Sequence, residues 1–174
     1  MNPVRLVLAD GLRLPFVDQS FDVVIGHVSM PYMDTREAML QVYRVLVPGG
    51  SFLLTFHSFR YLWQRILKSL GSGNWRDVAY MVYVGTNGFL NHFNLQQRRW
   101  WNRNRFETVN TRRGVYVAAR KAGFIGISSE GRTKRFFFAV AARKPSDGRD
   151  VTPLPEAIYP GLTSEGPTDS GERG

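Results

Sequence analysis

At 174 residues, 43% of them hydrophobic and 13% aromatic, the chain carries enough apolar side chain for one globular core. It has no cysteine, and its three histidines, His27, His57 and His92, show no ligand spacing, which excludes a disulfide frame and argues against a resident metal. The formal charge of +9 is unevenly placed: residues 58–105 hold 8 basic and 1 acidic side chains, residues 106–144 hold 9 and 2, and residues 145–174 hold 2 and 6, a cationic middle before an acidic tail that favours an anionic partner or substrate.

Residues 1–16 lack the basic-then-apolar order of a secretory leader, and no run of about 18 apolar residues exists, so the chain reads as soluble and cytoplasmic. Val4 to Leu8 is a short aliphatic run that reads as a buried strand emptying into a loop at Ala9-Asp10-Gly11. Phe21 to Gly26 is a second such strand. From Thr35 to Leu46, apolar residues fall at helical spacing behind an Asp34 cap, and Pro48-Gly49-Gly50 stops the helix. Ser51 to Phe56 is a third strand, and strand, helix, strand with near-continuous apolar strands predicts a parallel sheet covered on both faces.

Past His57, the residues Phe59, Leu62, Trp63, Ile66, Leu67 and Leu70 predict a helix with one apolar face, closed by Gly71-Ser72-Gly73. Residues 75–105 form an aromatic, basic insertion with mixed helical and loop signals. Thr111 to Ala122, ended by Gly123, is a further helix. Phe124 to Ser128 and Arg135 to Ala142 then read as a strand pair about Gly131, and the polar composition from Pro145 onward predicts a disordered tail.

Residues 9–57, with Asp10, Leu14-Pro15-Phe16, Asp18, Ser20-Phe21-Asp22, Arg44-Val45-Leu46 and Pro48-Gly49-Gly50 in that order, resemble the middle of the class I S-adenosylmethionine-dependent methyltransferases of the ubiquinone and menaquinone biosynthesis type. Phe106-Glu107-Thr108, Lys121-Ala122-Gly123-Phe124 and Arg143-Lys144-Pro145 resemble the same family's closing elements. The resemblance implies an α/β fold: a Rossmann-like sheet, mostly parallel with an antiparallel C-terminal strand, lacking its first two strands and carrying a helical lid insertion. Residues 1–144 would be a partial methyltransferase domain with 58–105 as the lid, and residues 145–174 an acidic tail.

The cofactor implied is S-adenosyl-L-methionine. An acidic residue closing a strand, followed by glycine, presents a carboxylate and an open N–H to a planar ligand edge. By the resemblance, Asp10 accepts from the adenine amine and Gly11 or Leu12 donates to the ring, while Gly26, His27 and Val28 line the pocket around the methyl group. His27 and His57 are the candidate general bases, with His92 a further one, each set against a purely structural histidine.

The family's glycine-rich turn and its ribose-gripping acidic residue have no counterpart in the nine residues before Asp10, which implies a start inside a longer reading frame or a degraded gene, and leaves activity of the chain as it stands in question. The aromatic residues of the lid predict a small apolar or aromatic acceptor, or else the lid's own core. The basic, amphipathic residues 59–70 also suit an anionic membrane surface. An alternative of a different class is a non-catalytic nucleic-acid or interaction module, resting on the Arg/Trp-rich run from Gln96 to Arg105.

Overall fold

Near-continuous apolar residues in two segments, Phe21–Gly26 (β1) and Leu46–His57 (β2), make adjacent parallel strands that frame the sheet. The computed structural model describes residues 5–27, 29–93, 95, 106–130 and 137–146. Ile125–Glu130 (β3) and Phe137–Arg143 (β4) complete a four-stranded sheet in the order β1-β2-β4-β3. Strand β4 runs antiparallel to both β2 and β3, so three strands share one direction and the last opposes them, as the resemblance implied.

Helix α1 (Thr35–Val45) starts where Asp34 Oδ1 accepts from Arg36 N at 2.9 Å and Glu37 N at 3.4 Å. It ends one residue earlier than expected. The chain passes directly into β2, and Pro48-Gly49-Gly50 lies within that strand's first turn of backbone, with Gly49 at φ +80°. Helix α4 (Arg112–Ala122) is capped by Thr111, whose hydroxyl accepts from Gly114 N, and closes on Gly123 in the left-handed region.

Alternation then decides what the sheet buries. Phe52, Leu54 and Phe56 of β2 and Phe138, Val140 and Ala142 of β4 point to one face, where they pack with Met39 and Val42 of α1 and Val115, Ala118 and Ala119 of α4. The expected cover on both faces is met only in part: Leu53 of β2 and Ala141 of β4 are buried on the opposite face, whereas Val23 and Ile25 of β1 stay open there, Ile25 at 66% exposure.

A second correction concerns Val4 to Leu8. Residues 5–9 form no strand, and Leu6 and Leu8 are fully exposed. An extended segment holds its shape only through a hydrogen-bonded neighbour, and β1 pairs with β2 alone among the described strands. The chain beyond this segment is nevertheless pinned. Arg44 of α1 donates to Phe16 O at 2.7 Å and Leu14 O at 2.8 Å and pairs with Asp18 at 2.8 Å. Replacing Arg44 with alanine removes charge-assisted bonds to otherwise unpartnered carbonyls, so the chain should lose about 1–3 kcal/mol in urea denaturation and become sensitive to trypsin at Arg13.

Two more helices, α2 (Phe59–Gly71) and α3 (Trp75–His92), form a hairpin with its own core of Leu62, Tyr80, Met81, Tyr83, Val84 and Val109. The mixed signals of residues 75–105 thus resolve into one 18-residue helix over their first half. Val28, the run Gln96 to Arg105, the turn at Gly131 and the tail from 147 onward lie outside the described residues.

Candidate functional site

Two glycines gather the carboxyl end of β1. A Cβ on Gly26 would sit 2.5 Å from Leu54 Cδ2 and 3.2 Å from Ser29 Oγ, so a side chain there would have to push Leu54 aside. A Cβ on Gly11 would collide with Met33 Sδ. Met33 follows the 3-10 turn Met30–Tyr32 that leaves β1, so this contact seats the Asp10 loop beyond that strand's end.

Asp10 is exposed, and its Oδ1 accepts from Leu12 N at 2.9 Å while its carbonyl accepts from Arg13 N at 2.9 Å. The side chain therefore holds its own turn, and the Leu12 N–H is already used. Its second carboxylate oxygen and the Gly11 N–H remain available, one acceptor beside one donor, which is the pair an adenine edge requires. Gly11 and Leu12 are half-buried and Gly26 is half-buried at the neighbouring edge. The turn thus leaves one carboxylate oxygen of Asp10 and the Gly11 N–H without a hydrogen-bond partner among the described residues.

The two histidines differ in setting. His27 is exposed at the end of β1, with Nδ1 3.4 Å from Thr55 Oγ1. His57, the last residue of β2, is 3% exposed, and its ring lies 4.3 Å from that of Tyr61 and 5.0 Å from that of Phe137. Its Nδ1 is buried with no hydrogen-bond partner among the described residues. His92, at the end of α3, makes a 3.1 Å contact with Thr111 Oγ1, so it serves the junction of α3 with α4.

Burial, and after it the Arg65 guanidinium, hold the His57 imidazole below its ordinary value of 6.5. The unfolded chain binds this proton more readily, so the contribution to stability is full above about pH 6.5 and is lost as pH falls toward the folded value. Urea midpoints measured between about pH 5 and pH 8 should fall on the acid side of 6.5 in the parent, and His57→Phe should flatten that slope.

Residues that the sequence pattern did not single out as site residues build the wall beside His57. The buried strap 106–110 accepts and donates at every element it passes: Thr108 N donates to Pro31 O at 2.8 Å and Asn110 N to His57 O at 3.0 Å. Thr35 Oγ1 donates to Asn110 Oδ1 at 3.1 Å. Tyr80 OH donates to Glu107 Oε2 at 2.9 Å, and Asn87 Nδ2 to Glu107 O at 3.3 Å. The only signal for these was the Phe106-Glu107-Thr108 triplet, which carried a resemblance and no assigned role. The expected aromatic enclosure divides: Tyr80 and Tyr83 fill the hairpin's core, whereas Phe59, Trp63, Trp75, Phe89 and Phe93 face outward.

Comparison with known proteins gives a likeness of family and fold. Residues 1–54 match the methyltransferase domain family. The chain is 37% identical over 92 residues to the demethylmenaquinone methyltransferase of Thermus thermophilus, covering 45% of this chain and 42% of that enzyme. It is 26% identical over 134 residues to phosphoethanolamine N-methyltransferase 2 of Caenorhabditis elegans, covering 76% of this chain and 24% of that protein. The chain therefore spans less than half the length of these curated relatives. Among solved structures, a SAM-dependent methyltransferase of Thermotoga maritima, described as a possible histamine N-methyltransferase, shares the fold with a TM-score of 0.53 at 16% identity, over 81% of this chain and 64% of that one.

Proposed function

We propose that this chain, similar over residues 1–54 to the methyltransferase domain family and over 92 residues to a demethylmenaquinone methyltransferase, is a class I S-adenosylmethionine-dependent methyltransferase that serves methyl transfer to a small apolar or aromatic acceptor in the cytoplasm, with residues 1–144 as a partial catalytic domain and residues 58–105 as its lid. The observation that best supports this is the packing of the Asp10-Gly11 loop against Met33, between the turn that leaves β1 and the start of α1, on the side of the sheet where open α/β folds take their ligands.

The donor, when bound, supplies an electrophilic methyl carbon on a sulfonium. Asp10 and Gly11 orient its adenine end, and Gly26 leaves room at the strand edge where a side chain would intrude. His57 holds an uncharged imidazole at neutral pH, so it is ready to accept the proton that the acceptor atom sheds as its bond to carbon forms. His27, exposed and tied to Thr55, is the second candidate for that proton. The strap residues Thr108, Glu107 and Asn110 fix the backbone from which His57 projects and exclude water from behind it.

The relatives name two chemically distinct acceptors to try, a demethylated naphthoquinol and phosphoethanolamine. Incubation with methyl-labelled donor and each acceptor in turn should transfer label to the aromatic ring compound, and His57→Asn should slow that transfer by about 10²–10⁴-fold, the usual worth of a positioned base. Transfer to neither acceptor, or transfer indifferent to His57, contradicts the reading.

A further inference from the structure

The hairpin turns its largest apolar side chains away from its own core. On α2, Phe59, Trp63, Leu67 and Leu70 are all exposed, Trp63 at 60% and Leu67 at 64%, and their spacing of four, four and three residues sets them in one stripe about 17 Å long. About 100° around the same helix, the exposed positions are Arg60, Gln64 and Lys68. The sequence pattern alone put Leu62 and Ile66 in the same apolar face. In the fold those two turn inward, so what remains outside is an apolar rail beside a cationic one.

Helix α3 adds exposed Trp75, Val82 and Phe89 at intervals of seven residues, with Phe93 at its C-cap and exposed Arg76 beside the first of them. The hairpin's acid, Asp77, accepts from Arg65 at 3.0 Å and from Ser69, so it does not offset the outward charge.

We propose that this outer face of the α2–α3 hairpin docks on a bilayer of anionic phospholipid, with Trp63, Leu67 and their neighbours entering the headgroup boundary and the exposed Lys68 and Arg76 lying against the phosphates. Charge selects this occupant over a second copy of the chain. A two-fold interface would set the cationic rails against each other with no carboxylate between them, whereas an acidic lipid surface complements them. Among the described residues no helix is long and apolar enough to cross a membrane, so the hairpin lies in the surface plane. The docking stands independently of the methyl-transfer reading.

Co-sedimentation of the full chain with phosphatidylglycerol-containing vesicles, beside pure phosphatidylcholine, tests this. Binding should be confined to the acidic vesicles and weaken as salt rises. The double change Trp63→Asp/Leu67→Asp should abolish it. Lys68→Glu/Arg76→Glu should weaken it by at least about 25-fold, roughly five-fold for each charge removed. Ile25→Asp, on the open sheet face, should leave it unchanged, and circular dichroism checks that each variant is folded. Equal sedimentation of parent and Trp63→Asp/Leu67→Asp overturns the proposal. So does an absence of parent binding, or a dimer by sedimentation velocity that the same double change dissociates.

Discussion

Replacing Phe56 with alanine should cost about 3–5 kcal/mol of folding stability, the largest loss expected from any single truncation in the sheet. Phe56 is fully buried on the helix-covered face and its ring stacks on Phe138 at a centroid distance of 5.4 Å. On the β4 side Phe56 stands opposite Phe138 in the ladder, and α1 and α4 pack over the same face, so the surroundings do not readily collapse into the vacated space. A domain of this size holds a margin of only about 5–15 kcal/mol, so the change removes a large share of it. Chemical denaturation should show a lower midpoint with an unchanged slope, and Phe56→Leu should recover most of the loss. A shift under 1 kcal/mol would mean that the sheet face is not packed as described.

Asp10→Ala should weaken binding of the methyl donor by about 10–150-fold, the value of one hydrogen bond to a charged acceptor. The residue is exposed and its carboxylate accepts from Leu12 N, two positions away, so the change leaves the core untouched. Asp10→Asn keeps an oxygen for the turn and replaces the free acceptor by an amide, so it should restore the turn without restoring affinity. Parallel losses in both variants, with unchanged melting, place the effect on the ligand; equal binding by all three proteins would assign Asp10 to its turn alone.

Elements whose signals are local were readable in the amino-acid order. Strand β1 and the start of α1 stand where the FDVVIG run and the Asp34 cap put them, and α4 begins at Thr111 and ends at Gly123 because both caps are single-residue chemistry. The aliphatic run at residues 4–8 carries the same local signal as β1, but a strand needs a partner that its own composition does not specify, and here residues 5–9 stay extended and exposed. Helix α3 was hidden by Gly85 and Gly88, which weaken a helical reading. Gly88 is there because a Cβ would stand 2.6 Å from Val109 Cγ2 and 2.8 Å from its carbonyl oxygen.

The site divides along the same line. Gly11, Gly26 and His57 were named from the resemblance, and the fold places Gly11 beside the Asp10 turn and Gly26 and His57 at the ends of β1 and β2. Val28, assigned with them, lies outside the described residues. Tyr80, Glu107 and Asn110 became visible only once the fold brought α3 and the strap to the end of β2, since a buried hydrogen bond across 27 residues has no periodicity to betray it. The apolar stripe of α2 was legible as an amphipathic pattern, yet which side of it faced water depended on the partner helix.

The central claim is that the Asp10-Gly11 loop, seated beyond the end of β1, receives the adenine end of S-adenosylmethionine. Saturation-transfer NMR on the intact chain with S-adenosylmethionine measures this directly, because it reports which ligand protons lie against protein even when binding is weak. The account predicts strong transfer to the adenine ring protons, weaker transfer to the methionine methylenes, and loss of the adenine signal in Asp10→Ala. Uniform transfer along the ligand, or an adenine signal untouched by that change, would contradict it.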